Sequence, residues 1–168
     1  MRRINSSFTY IMDTKPLKRH QALQPLSKEH HFALLLCWKI RKGQELNIEP
    51  NRIGDFVKQM WDHQIAEHFE IEEKYIFSIL EPDNKLLHEA LSDHKTIKRL
   101  ILNEPFTEKS LNRLEEKLEQ HIRMEERQLF PHIQSIASNE QLKAVQTHHT
   151  LPIAEMPWND RFWETGPR

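Results

Sequence analysis

The sequence predicts an all-α fold: an antiparallel up-down-up-down four-helix bundle with an N-terminal arm and a short C-terminal helix and tail. Three observations carry this reading. Only 3 glycines stand against 9 prolines in 168 residues, and β-branched runs are few. Apolar residues recur at spacings of 3 and 4 through four long segments, which is the spacing of one helix face. Short turns marked by proline join these segments and send each helix back alongside the one before. A chain of this length defaults to one domain with a sizeable core. Its expected divisions are an arm over 1–25, the bundle over 26–137, and a short helix with an irregular tail over 138–168.

Charge and composition exclude several function classes. A formal charge of −1, from 24 basic and 25 acidic side chains, gives no general field for nucleic acid or an anionic membrane. The longest strongly apolar run, Phe32 to Trp38, is far too short to cross a bilayer. Cys37 is the single cysteine, which excludes an internal disulfide framework and suits a reducing cytosol. Met1-Arg2-Arg3 is basic, but Asn5, Ser6, Ser7 and Thr9 interrupt any hydrophobic signal region. The expectation is a soluble cytoplasmic protein, monomer or dimer.

In chain order, Pro16 and Pro25 bracket an arm segment without a clear period. The first helix is expected to begin at Ser27, a good N-cap, and to stop at Gly43. Its stripe runs through His30, Leu34, Cys37 and Arg41, widened by Leu35 and Trp38. The second helix, about Asn51 to Leu80, carries Ile53, Val57, Met60, Gln64, His68, Glu72, Tyr75 and Ile79 on its stripe. Pro82-Asp83-Asn84 turns the chain into a third helix, about Lys85 to Leu102, with Leu87, Ala90, His94, Ile97 and Ile101 in phase. The fourth helix starts near Thr107 and reads Leu111, Leu114, Leu118, His121, Glu125, Leu129 and Ile133. Pro131 cannot donate to the carbonyl of Arg127, so a kink or end is expected there. Asn139 to Thr147 reads as a short fifth helix, and Trp158, Phe162 and Trp163 should dock the tail.

A repeated motif lies inside this frame. His121 to Phe130 and His68 to Phe77 both read H-x-x-x-E-E-x-x-x-F. Residues i and i+4 share a helix face, so each copy points an imidazole and a carboxylate along its apolar stripe. Buried ionisable pairs are costly unless something compensates them, and a cation suits this spacing. All four helices then offer an inward histidine (His30, His68, His94 and His121), and Glu72 and Glu125 add carboxylates. Nitrogen and oxygen ligands without thiolate suit iron, manganese or zinc. Carboxylates bridging a pair of ions are the natural use of such a set. Glu-x-x-His pairs on the stripes, H-E-x-x-H, a glycine-rich phosphate loop and G-x-S-x-G are all absent.

Other groups are weighed against these. His31 is an alternative ligand if the first helix is out of phase by one residue. His63 is expected to be exposed or to back a ligand. Glu73 and Glu126 are expected to face solvent or pair with Lys74, Arg123 and Arg127, or else to orient a ligand imidazole. His20, His88, His132, His148 and His149 are off the stripes or outside the bundle and default to surface or packing roles. Cys37, on an apolar face, reads as an inert core thiol.

Together these residues resemble the hemerythrin-like HHE cation-binding family, in its bacterial stand-alone form. The resemblance rests on Glu29-His30, His68 to Glu72, Asp93-His94, and His121 to Glu125-Glu126 with Phe130-Pro131, and it spans roughly 26–136. It implies two iron ions with an oxo or hydroxo bridge, and O2 or another small diatomic or peroxide as partner. The oxygen-carrying members place a further histidine four residues from the first on the third helix. Here the flanking positions are Ala90 and Lys98, which leaves a coordination position open. The single Cys37 gives no support for the iron–sulfur repair branch. A non-enzymatic metal-binding protein that binds or senses O2 or a related molecule, or handles iron, is the expected function. The alternatives are a di-iron oxidase, peroxidase or NO-handling enzyme, and a helical interaction protein with a structural metal site.

Overall fold

The computed structural model describes residues 18–149 and 154–164; most of the expected arm and parts of the tail lie outside the described residues. Every regular element in it is helical. Helix α1, Gln24–Glu45, begins before Ser27, because a 3-10 turn at Gln21–Leu23 feeds directly into it. Pro25 occupies the first turn, where its missing N–H costs nothing. Gly43 does not end the helix. It is buried within it, where a Cβ would stand 2.8 Å from Ile53 Cδ1 and 2.9 Å from Phe162 Cε2. Its smallness serves packing, and the left-handed turn falls later, at Asn47 with φ 54°.

The second long helix is composite. Helix α2, Pro50–Met60, passes through a π turn at Trp61–Ile65 into α3, Ala66–Ile71. A second π turn at Glu72–Ile76 leads to a 3-10 turn at Phe77–Ile79. A π turn holds an extra residue and rotates everything after it. The expected stripe therefore slips by one: Ile65 is buried where Gln64 is half-buried, and Ile76 and Leu80 replace Tyr75 and Ile79 in the core.

Helix α4, Lys85–Leu102, is capped by the Asn84 side chain, which accepts from the N–H groups of Leu86 and Leu87. A capping box between Thr107 and Ser110 opens α5, Glu108–Met124, the kind of device that contributes about 1 kcal/mol. A π turn at Glu125–Leu129 and α6, Phe130–Ile136, continue it. Pro131 thus does not end the helix, since it sits in the first turn of α6, directly after the π turn. Helix α7, Asn139–His148, starts from a second capping box, between Ser138 and Gln141.

Helix α5 packs on α1 and α4, and α2 packs on α1 and α4. The apolar core is split in two by a polar layer. One part gathers Leu36, Ile40, Ile53, Phe56, Ile97, Leu114 and Leu118 with the tail's Phe162 and Trp163. The other gathers Leu23, Leu26, Ile71, Ile76, Ala90, Phe130, Ile133 and Val145. On α1 the order is Leu26, His30, Leu36; on the second helix it reverses to Ile65, His68, Ile76. It reverses again on α4 (Ala90, His94, Ile97) and once more on α5 and α6 (Leu118, His121, Ile133). Among the described residues no helix is long and apolar enough to cross a membrane.

Candidate metal centre

The polar layer is made of the residues the stripes nominated. His30, His68, Glu72, His94, His121 and Glu125 are each at most 5% exposed. Their ligand atoms form two overlapping groups, each within 4.8 Å: His30, His68, Glu72 and Glu125, and Glu72, His94, His121 and Glu125. Both groups contain the two glutamates. His68 Nε2 lies 3.1 Å from Glu72 Oε1, and His94 Nε2 lies 3.4 Å from Glu72 Oε2. Glu125 is placed in the same way, with Oε2 3.1 Å from His30 Nε2 and Oε1 3.4 Å from His121 Nε2. Each glutamate opens a π turn.

His30, His68 and His94 are each hydrogen-bonded from behind by a carboxylate on the other nitrogen, and His121 faces one at longer range. Glu126 Oε1 is 2.7 Å from His30 Nδ1, and Glu29 Oε2 is 2.7 Å from His68 Nδ1. Glu73 Oε1 is 2.9 Å from His94 Nδ1, and Asp93 Oδ2 is 3.5 Å from His121 Nδ1. Such a carboxylate fixes the ring so that Nε2 faces the centre. Each of these acids is the sequence neighbour of a residue in the inner set. A step of one residue turns about 100° round the helix, so the neighbour of an inward group faces the adjacent helix. The contacts therefore close a ring: α1 holds His68, the second helix holds His94, α4 holds His121, and the Glu126 turn holds His30.

Further charges stand behind this ring. Arg19 Nη2 is 2.7 Å from Glu126 Oε2, Lys117 pairs with Asp93, and His149 Nε2 lies 2.9 Å from Glu29 Oε1. Of the two roles expected for His149, the surface one is not observed, since its side chain is 3% exposed and its partner is buried. Sequence reasoning missed Arg19, Lys117 and His149 because nothing local marks a partner so distant in the chain. Glu29 and Asp93 entered only as parts of the family motif, although their adjacency to His30 and His94 was a usable signal. His31 and His63 are exposed, so the phase that puts His30 inward is the one observed. Ala90 is buried among apolar residues and Lys98 is exposed, so neither flanking position of His94 adds a ligand.

Electrostatics follow from this crowding. Burial opposes charge on His30, but the carboxylates of Glu125, Glu126 and Glu72 outweigh it and hold the imidazole well above its ordinary value. Burial also works against His68, which Glu72 and Glu29 nevertheless push up to about 9. His94 is raised against its burial by Glu72, Glu125 and Glu73. Burial pushes Glu72 up, yet His68, His30 and His94 hold it well below the usual carboxylate range. Without a cation the buried carboxylates thus favour the protonated form of His30, His68 and His94.

The hemerythrin HHE cation-binding domain, as a family, matches residues 21–132, more than half of the chain. This chain belongs to the hemerythrin HHE cation-binding family. No curated protein and no solved structure is significantly similar to it. Arg19 and His149 both lie outside the matched hemerythrin segment, although they complete the surroundings of its centre.

The residues fit a metal. All four carboxylate oxygens of Glu72 and Glu125 are fully buried and accept no hydrogen bond. His94 Nε2 and His121 Nε2 are buried and unbonded as well. Buried polar atoms without partners are rare in folded proteins, and here they converge on one layer. Beside them lies a small cavity of about 10 Å³, walled by Ala33, Ile65, Phe69, Leu118 and Ile122 at the edge of His30, His68 and His121. That volume is close to the minimum that holds one water molecule, roughly 10–15 Å³.

Proposed function

We propose that this protein binds a pair of iron ions through His30, His68, Glu72, His94, His121 and Glu125, and uses them to bind or sense a small molecule such as O2. The observation that carries this reading is the sharing of Glu72 and Glu125 between two otherwise separate histidine pairs. A single ion would be served by one pair and would leave the other pair's Nε2 atoms facing unbonded carboxylate oxygens. Bound iron would supply the redox chemistry that a small diatomic ligand requires. Manganese or zinc suits the same nitrogen and oxygen donors.

The chain's own residues do the rest. The carboxylate ring fixes each imidazole tautomer, the two apolar clusters exclude bulk water, and the cavity walls admit only a ligand of a few atoms. Apart from the inner set, Glu29 and Gln64 are the polar residues in that wall, and Glu29 is already engaged by His68 and His149. The lack of an unengaged acid or base there favours binding over turnover. The alternating order of the core clusters along successive helices supports an up-down-up-down antiparallel bundle, with α7 and the tail packed onto it.

Metal analysis with an optical spectrum tests the reading. About two ions per chain and near-ultraviolet absorption from bridged iron are expected, with a reversible spectral change on adding O2 or nitric oxide. One ion per fully loaded chain would overturn the shared-carboxylate arrangement. Ligand consumption over many cycles would favour the oxidase or peroxidase alternative.

A further inference from the structure

The C-terminal helix lies beyond the hemerythrin segment yet reaches its centre. Leu142 and Val145 of α7 are buried, Val145 within the apolar cluster that also holds Leu26 and Ile76. The helix packs on the Gln21–Leu23 turn and on the π turn that begins at Glu72. His148 stacks on Tyr75, with ring centroids 4.3 Å apart. The next residue, His149, turns inward, and its Nε2 meets Glu29 Oε1 at 2.9 Å. Glu29 is 2% exposed, and its other oxygen holds His68 Nδ1 at 2.7 Å. By hydrogen-bond alignment neither Glu29 Oε1 nor His149 Nε2 has a partner among the described residues, so this short contact between the two is the one charge contact that either atom makes there. A buried carboxylate oxygen is expensive to leave unmatched.

We propose that His149 is a positioning residue of the metal centre: through Glu29 it fixes His68, and so sets how firmly the ion at the His30 and His68 position is held. This rests on the paired-metal reading above. With His149 removed, Glu29 Oε1 is stranded in an apolar site. The carboxylate relieves this by rotating towards solvent, which loosens its grip on the Nδ1–H of His68 and frees the ring that presents Nε2. His94 and His121, which would hold the other ion, contact neither Glu29 nor His149, so the effect would be confined to one of the two positions. The C-terminal helix thereby becomes a built-in part of a site whose inner residues all come from the bundle.

The test uses the full chain as wild type, His149→Ala, His149→Gln and His148→Ala, each loaded with zinc and challenged with EDTA. In wild type the ion at the His30 and His68 position leaves the more slowly of the two, and it is the one whose rate the variants should change. In His149→Ala one ion should leave about 10-fold faster while the other keeps its wild-type rate, a size typical of partners that back a ligand. Glutamine keeps an N–H donor near Glu29, so His149→Gln should restore most of the loss. His148→Ala should behave as wild type. Cobalt(II)-loaded protein supplies a second readout, because each ligand histidine gives an exchangeable, strongly shifted Nδ1–H proton resonance. Only the resonance of His68 should move or broaden in His149→Ala. Unchanged release, or equal acceleration of both ions, overturns the proposal; equal acceleration would mark His149 as a general packing residue. Failure of glutamine to rescue overturns it too. A wild-type chain that takes up fewer than two ions overturns the paired-metal reading and this proposal with it, whereas two ions with unaltered release overturn this proposal alone.

Discussion

The two halves of the candidate metal centre offer the same inner side chains but are supported differently. His30 and His68 are backed at 2.7 Å by Glu126 and Glu29, which in turn meet Arg19 and His149 from outside the matched segment. His94 and His121 have longer carboxylate contacts, 2.9 Å to Glu73 and 3.5 Å to Asp93, and Glu73 is 48% exposed. Aromatic packing takes up the difference. His94 stacks on Phe69 with centroids 3.6 Å apart and planes 6° apart, and Phe69 also meets His121 edge-on. The first half rests on the shorter carboxylate contacts, with a looser stack of His30 on Phe130 at 5.4 Å, while the second joins longer carboxylate contacts to closer ring stacking. The lesson is that equal ligand sets need not give equal metal positions, because the groups behind a ligand decide how rigidly it is presented.

The strongest way to break this comparison is to remove what the halves share. Glu72→Ala or Glu125→Ala should cost both positions, lowering metal affinity by at least about 100-fold, the upper end of what a backing partner contributes. If either variant keeps one ion at wild-type affinity, the glutamates are not shared.

Taking one histidine from each half sharpens the contrast. His68→Ala and His94→Ala should each lose one ion, while His88→Ala and His132→Ala should lose none. Under chelation of the wild type, the ion at His94 and His121 should leave first, with rates differing by about 10-fold. Elemental analysis against time, followed through the single-histidine variants, identifies which ion departs.

A pH series separates protons from metal. His68 is raised to about 9 in the metal-free fold, from an ordinary value of 6.5. A raised histidine contributes stability that is fully present below the unfolded value and is lost as pH rises through the folded one. The melting temperature of the metal-free chain should therefore fall between about pH 6.5 and 9, because the buried carboxylates lose their counter-charge there. The metal-loaded chain should hold its melting temperature across that window, and metal uptake at pH 7 should release protons. Parallel slopes in the two forms would show that the histidine protons and the metal do not compete.

The smallest effect should come from Lys117, whose side chain is 32% exposed beside Asp93. Lys117→Ala should change stability by about 0–1 kcal/mol, the range of a solvent-screened pair, and metal release only slightly. Arg19→Ala, which strips the 18%-exposed partner of Glu126, should accelerate release more. The reverse order would contradict the view that the first half depends more on its charge pairs.

The inner residues were legible because helical periodicity is local. A histidine and a glutamate one turn apart on an apolar stripe announce themselves without any knowledge of the neighbouring helix. Gln64, Tyr75 and Ile79 show where that logic failed: π turns at Trp61–Ile65 and Glu72–Ile76 shift the phase, and no residue type in the sequence marks a π turn. At Pro131 the helix does not end, since the same kind of turn precedes it and lets the helix run on to Ile136.

By itself the sequence determined the helical class and the inward phase of His30, His68, His94 and His121, since both follow from spacing along one chain, and its motifs carried the resemblance to the family. Only the tertiary structure decided that the two glutamates meet between the histidine pairs, that four neighbouring acids close a ring around them, and that Arg19 and His149 stand behind one half of it. Those contacts join residues up to 120 positions apart, Glu29 and His149 being the farthest. A pairing across that distance is set by how helices pack and rotate against one another, which no local period encodes.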